Sequence, residues 1–357
     1  VPLLGCESFD WVQTGTVGMA DLGLKQPPWW SVNVAGSFIE AGVGRRGTQA
    51  LRIVGSNSWL RTYPQLSDRL VIGFSLQIYL AYPPNEQQIL LWYASGNIFA
   101  ALTILPTGKL RVYTRAPNNS ALTQRAESTV EWGLTRDHYL EARITGGASG
   151  GIVVRRDEQE IINWAGNPGA DGTPTTTQFD VVQIGGNEVK NGNMSSTNPW
   201  WLDDVVVLAG TAANTDFWGD RHIRCQVPTG QAAVGWTAVG APTNREAVDE
   251  IPHDGDTSYV QTLAASTAQD LYTYATLPGE VTDIKAVQLA AIARKTDGGA
   301  ANLQLVAQSG AVTSTGASQA VSTIYAVYTE RWLTDPATGL AWTRSGVDNA
   351  RFGIKAP

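Results

Sequence analysis

Gln88-Ile89-Leu90-Leu91-Trp92-Tyr93, then Ala94-Ser95-Gly96-Asn97, then Ile98–Leu105, then Pro106-Thr107-Gly108, then Lys109–Thr114: this stretch decides the fold. Three short apolar runs are separated by two turns of the residues that break regular structure. Along such a run successive side chains point to opposite faces, so each reads as a strand. A helix would need apolar residues every three to four positions, and that period is missing.

The same pattern extends outward in both directions. Upstream it gives Ser37–Ala41, Ala50–Val54, Trp59–Tyr63 and Leu70–Leu80, and downstream Tyr139–Ile144, Gly151–Arg156, Gln159–Ala165, Phe179–Gly185 and Trp201–Ala209. Pro83-Pro84-Asn85, Pro117-Asn118-Asn119 and Gly166-Asn167-Pro168-Gly169 supply further turns. Gly146–Gly151 is glycine-rich but precedes a strand, which reads as a hairpin tip and not as a phosphate cradle. The chain of 357 residues contains 37 Gly and is only 16% charged. That balance belongs to an all-β protein, and its length favours two domains. Residues 1–210 read as a two-sheet jelly-roll sandwich, 211–216 as a linker and 217–357 as a smaller β-sandwich. Strands of the second part are expected at His222–Val227, Ala233–Val239, Ser258–Leu263, Asp270–Ala275, Ile284–Lys295, Asn302–Gln308, Ala320–Thr334 and Arg351–Ile354, with one helical turn over Thr343–Ala350. No repeat or heptad encodes a fibrous shaft.

Two resemblances sharpen this reading. The first rests on Glu7-Ser8-Phe9-Asp10, Ala50–Ile53, Val71–Leu76, Gly108-Lys109-Leu110 and the closing Trp201-Leu202-Asp203-Asp204-Val205-Val206-Val207. That ordered set resembles the concanavalin A-like (laminin-G-like) jelly roll. The second rests on Phe217-Trp218-Gly219-Asp220, Val248-Asp249-Glu250, Asp254–Tyr259, Asp335–Thr343 and Phe352-Gly353-Ile354-Lys355. It resembles a β-sandwich that recurs in virion proteins of tailed phages. What the resemblances imply is a component of the virion exterior (tail fibre, head spike or decoration protein), assembled in the host cytoplasm. Its partners would be other copies of itself, trimers favoured, other virion proteins and a host cell-surface glycan. A purely architectural cement protein and a polysaccharide-degrading jelly-roll enzyme are the alternatives.

Several function classes are excluded or disfavoured. With a net charge of −7 and no Lys/Arg run, neither a nucleic-acid groove nor an anionic-membrane patch is expected. No segment has the run of apolar residues that membrane insertion requires, and Val1–Gly5 carries no signal-peptide pattern. Cys6 and Cys225 are expected as free thiols, with a bridge between them as the alternative. The three histidines, His138, His222 and His253, form no local nucleophile or zinc signature. Asp157-Glu158-Gln159-Glu160 lacks the spacing of a glucanase carboxylate set and reads as an acidic turn, as does Asp254-Gly255-Asp256-Thr257. No catalytic residue is therefore assigned, and the chain is expected not to be an enzyme.

Two candidate sites remain. Sugars stack on indoles, and among 13 Trp the pairs Trp29-Trp30 and Trp200-Trp201 are the candidate ligand platform, with core packing or a subunit interface as the alternative. In a strand, alternation places one of Asp203 and Asp204 inward, where it needs a partner. The jelly-roll resemblance implies that its last strand lies beside its first. Glu7, Asp10, Asp203 and Asp204 would then form a structural Ca²⁺ site, or the aspartates would cap backbone amides and hold the chain ends together. No cofactor is required.

Overall fold

The computed structural model describes residues 3–10, 31–33, 38–54, 59–62, 67–94, 96–115, 122–168, 178–186, 199–211, 215–263 and 268–357. The chain divides into two compact units, the first running through Arg224 and the second beginning at Cys225. Almost all regular structure is antiparallel β, so the all-β reading holds.

The first unit contains β1 (Leu3–Glu7), β2 (Ser31–Asn33), β3 (Phe38–Ala41), β4 (Gln49–Ile53), β5 (Trp59–Thr62), β6 (Arg69–Ile78), β7 (Gln87–Ala94) and β8 (Asn97–Ile104). It continues with β9 (Lys109–Arg115), β10 (Leu122–Glu131), β11 (Asp137–Thr145), β12 (Gly151–Arg156), β13 (Gln159–Ala165), β14 (Val181–Gly185) and β15 (Trp200–Gly210). Among the described residues one sheet has the order β13-β12-β11-β6-β15-β4-β3, with β1 also on β15, and the other β10-β9-β8-β7-β14-β5-β2. The last strand does lie beside the first. Between the sheets Phe74, Leu76, Trp92, Leu102, Val112, Leu140, Val182, Trp200 and Leu202 form one apolar core. Full burial of each large side chain contributes about 1.5–3 kcal/mol, which is what holds the layers together.

In β15 the simple alternation fails. Asp203 pairs with Ser75 but Val206 with Gly73, so β15 carries one extra residue. Asp204 takes φ +52°, the left-handed conformation that Asp tolerates better than most residues. Leu202, Val205 and Val207 all face the core, which leaves both aspartates on the outer side. The expectation of one inward Asp is corrected by this bulge.

The second unit contains β16 (Pro228–Ala233), β17 (Thr237–Val239), β18 (Tyr259–Gln261), β19 (Gln269–Tyr274), β20 (Val287–Ala293), β21 (Asn302–Ser309), β22 (Val312–Thr315), β23 (Gln319–Ala320), β24 (Ala326–Trp332), α1 (Arg344–Asn349) and β25 (Arg351–Lys355). A sheet β16-β19-β25-β21-β22, extended by β23, packs against the ladder β20-β24. Leu305, Phe352, Tyr328, Trp332 and Trp342 fill the space between them. Thr343 caps α1, its Oγ1 accepting from Gly346 N at 2.9 Å, as the sequence suggests.

The boundary between the parts differs from the sequence reading. Residues 217–224 belong to the first unit, and His222–Val227 forms no strand. The unpredicted strand β10 carries polar residues on both faces because it is an edge of its sheet. Cys6 and Cys225 are not joined in a disulfide.

Candidate functional site

The two outer faces of the first unit have different fates. The face of the eight-stranded sheet is crossed by the chain's own segment 215–224. Arg69 donates to Thr215 O at 3.0 Å, and Arg143 Nη1 meets Asp216 Oδ1 at 2.5 Å. The Phe217 ring lies under two guanidinium groups, those of Arg143 at 4.7 Å and Arg155 at 4.1 Å. Gly219 N donates to Glu141 Oε1 at 2.8 Å and Asp220 N to Glu158 Oε1 at 3.0 Å. Arg45 pairs with Asp220 and donates to Arg221 O at 2.9 Å. Asp204, wholly buried, accepts from Ile223 N at 2.7 Å and lies 3.1 Å from His222 Nδ1.

The second outer face belongs to the seven-stranded sheet. Strand register draws a straight line across it: Arg61 opposite Gln183, Gln183 opposite Leu91, Leu91 opposite Ala101, Ala101 opposite Tyr113 and Tyr113 opposite Gln124. Five strand spacings make this row roughly 24 Å long. Its middle, Leu91 and Ala101, is apolar and packs with Tyr93 and Tyr113. A polar group stands on each side.

On one side Arg61 Nε donates to Gln183 Oε1 at 2.8 Å and Arg61 Nη2 to the Tyr93 hydroxyl at 3.2 Å. The Tyr93 hydroxyl in turn donates to Gln183 Oε1 at 3.3 Å, and the guanidinium lies 5.0 Å from the Tyr93 ring centre. Gln183 Nε2 donates to Gly185 O at 3.1 Å, which fixes the amide's orientation. On the other side Glu86 Oε1 accepts from Tyr113 OH at 2.6 Å and from Thr103 Oγ1 at 2.7 Å. Arg111 donates to Tyr113 OH at 3.3 Å and to Glu127 Oε2 at 2.8 Å, and the latter bond holds the Glu127 carboxyl below its usual range. Tyr93 and Tyr113 are nearly buried, whereas Arg61, Glu86, Arg111 and Glu127 are partly accessible. Leu91, Ala101 and Gln183 are themselves fully buried, so this face presents to solvent the partly accessible polar groups on either side, preoriented as donors and acceptors.

The expected site residues fall elsewhere. Trp29 and Trp30 lie outside the described residues. Trp200, 1% exposed, packs in the core, and Trp201, 8% exposed, donates Nε1 to Glu40 Oε2 at 2.8 Å and meets Tyr79 edge-on. Neither offers an open indole face, because β15 is a central strand; that part of the ligand expectation is corrected.

Glu7 accepts from Phe9 N at 2.8 Å, Asp10 from Gln49 N at 3.0 Å, and Asp203 from Arg45 N and Thr48 Oγ1, each at 2.9 Å. Among the described residues no three His, Cys, Asp or Glu side chains gather as a metal site. The four carboxylates instead bind backbone amides and neighbouring side chains. Burial, then the adjacent Asp204 charge, pushes Asp203 up to about 8.

Asp157 and Glu158 do form a turn, both at positive φ. Asp157 is more than a solvated acid. It accepts from Tyr139 N at 2.9 Å and lies 2.5 Å from Nδ1 of the buried His138, whose pKa burial lowers. Sequence reading missed Arg61, Tyr93, Gln183, Tyr113 and Arg111. The signal was there in part: Gln183 is a lone polar residue in the apolar run Val181–Ile184.

No protein-family model matches the chain, and no curated protein matches it. Solved structures do. An endo-β-1,4-glucuronan lyase from the fungus Trichoderma reesei is 12% identical, covering 60% of this chain and 98% of its own at a TM-score of 0.41. An alginate lyase from Aplysia kurodai is 10% identical, covering 58% and 100%, at 0.42. The carbohydrate-binding module CBM66 from Bacillus subtilis is 10% identical, covering 51% and 96%, at 0.33. At such values neither substrate nor residue role passes to this chain. One expectation is nevertheless corrected: with polysaccharide lyases among the similar structures, the exclusion of enzymatic activity no longer stands. Paired carboxylates at glycosidase spacing serve hydrolysis, and their absence says nothing of elimination.

Proposed function

We propose that the first unit binds polysaccharide along the outer face of its seven-stranded sheet. The observation that carries this reading is the transverse row from Arg61 to Gln124, with partly accessible, preoriented hydrogen-bonding groups around Tyr93 and Tyr113 on either side of its buried centre. Sugar rings carry polar rims of hydroxyl groups, which such donors and acceptors match. The other outer face is crossed by residues 215–224, which hold its charged side chains in contacts within the chain.

The setting we infer is the exterior of a tailed-phage particle, with a host-surface glycan as the ligand. What supports it is the order of sequence phrases between Phe217 and Lys355. Several copies on one particle would add avidity to weak contacts.

Cleavage of the bound polymer is a second reading, and one observation favours it. The Tyr93 hydroxyl accepts from the Arg61 guanidinium and donates to the Gln183 amide oxygen. With a uronate held there, Arg61 and Gln183 would steady the carboxyl group while Tyr93 carries a proton to or from the sugar.

Affinity electrophoresis of the full chain in gels of neutral and acidic polysaccharides tests the main reading. Retardation by at least one polymer, reduced about tenfold or more by Tyr93→Phe with Arg61→Ala, is expected; equal mobility in all gels contradicts it. Appearance of unsaturated ends in the ultraviolet spectrum separates cleavage from binding alone.

A further inference from the structure

On the outer side of the eight-stranded sheet, residues 215–224 hold Arg45, Arg69, Glu141, Arg143, Arg155 and Asp204. A second transverse row lies away from these contacts. Its end, Asp137, precedes Glu141 on β11 by roughly 13 Å of strand. Register places Phe38 opposite Arg52, Arg52 opposite Trp201, Trp201 opposite Gln77 and Gln77 opposite Asp137. All five point outward, because Ile39, Leu51, Leu202, Leu76 and Leu140, of the opposite parity, enter the core.

One half of this row is tied up within the fold. The Arg52 guanidinium lies 4.8 Å from the Phe38 ring centre and 3.8 Å from Glu40, which also accepts from Trp201 Nε1. The other half is open. Tyr79, next on the outer face of its chain after Gln77, is 40% exposed and stands edge-on to the covered Trp201, which steadies it. Among the described residues the half-buried Gln77 amide and the Asp137 carboxylate make no hydrogen bond. Burial, opposed by the more distant Arg45, raises the Asp137 carboxyl above its ordinary value. A shielded carboxylate without a donor gains from a hydroxyl brought to it.

We propose that Tyr79, Gln77 and Asp137 form a second carbohydrate site, one that takes a neutral sugar. The Tyr79 ring meets an apolar C–H face, the Gln77 amide donates to and accepts from hydroxyls, and Asp137 accepts from a neighbouring hydroxyl. Charge fixes the class of sugar. Arg52 and Glu40 offset each other, which leaves the row with the Asp137 carboxylate, and an anionic sugar would be repelled there. The site lies on the sheet opposite to the row around Tyr93 and Tyr113, and neither reading rests on the other.

Affinity electrophoresis of the full chain in gels of dextran, mannan, galactan and xyloglucan tests this. At least one of these neutral polymers should retard the chain. Gln77→Ala with Asp137→Ala should cut that retardation about tenfold or more, and Tyr79→Ala should weaken it in the same direction. Circular dichroism should stay unchanged in the double variant, since neither side chain has a hydrogen bond to lose. Tyr93→Phe with Arg61→Ala should leave retardation by that polymer intact. Full mobility in all four gels overturns the proposal. So does retardation that survives the Gln77 and Asp137 changes in every gel; if it is lost instead with Arg61 and Tyr93, the seven-stranded face alone binds.

Discussion

Single carboxylates do much of the work that the sequence made look like metal binding. Asp204 is the clearest case: fully buried on a bulge, it joins Ile223 N, His222 and the nearby Arg45. Removing one partner of a buried charge set leaves the others unpaired. Asp204→Ala should therefore destabilise the first unit by about 3 kcal/mol in urea unfolding. Asp203 makes a different prediction. Burial raises its folded pKa to about 8, above an unfolded value of about 4. Between those values the folded state holds the extra proton, so this group's contribution is fully present below about pH 4 and is lost as pH rises through about 8. Measured against Asp203→Asn, the wild type should gain stability, by at least about 1 kcal/mol, as pH falls from about 8 to about 4. An unchanging difference would contradict the raised pKa. Such behaviour was not legible in the sequence. A bulge needs one extra residue against a neighbouring strand, and no period in β15 itself announces which neighbour that is.

At the scale of elements, the strands were largely legible and the connecting segment was not. Alternation located most of the core strands, helped by Gly, Pro or Asn in many of the turns. It missed β10, where edge position removes the need for an apolar face. It also assigned Phe217–Asp220 to the second part, since nothing local says that Phe217 rests under Arg143 and Arg155, which come from distant strands. Docking of residues 215–224 depends on those long-range contacts. Phe217→Ala should cost roughly 1–2 kcal/mol, through lost burial and two lost cation–π contacts. It should also speed limited proteolysis within 215–224 relative to the wild type. Equal cleavage rates would mean that the charged contacts alone hold the segment down.

For the whole molecule, the all-β class and the division into a larger and a smaller sandwich follow from composition and pattern, and the boundary moves to Arg224. The candidate site was the least legible part. Its row is assembled from residues on six strands, and each contributes one side chain whose neighbours are set by register, not by sequence distance. Tryptophan count pointed to β15, where both indoles are buried. The polar residues that do share a face, Arg61, Gln183 and Tyr113, had no local motif. Binding on that face is the central claim, and isothermal titration with a polysaccharide that retards the wild-type chain tests it most directly. The account predicts that Arg61→Ala with Tyr93→Phe weakens binding about tenfold or more while the circular dichroism of the fold is retained. Unchanged affinity in that folded double variant would contradict it.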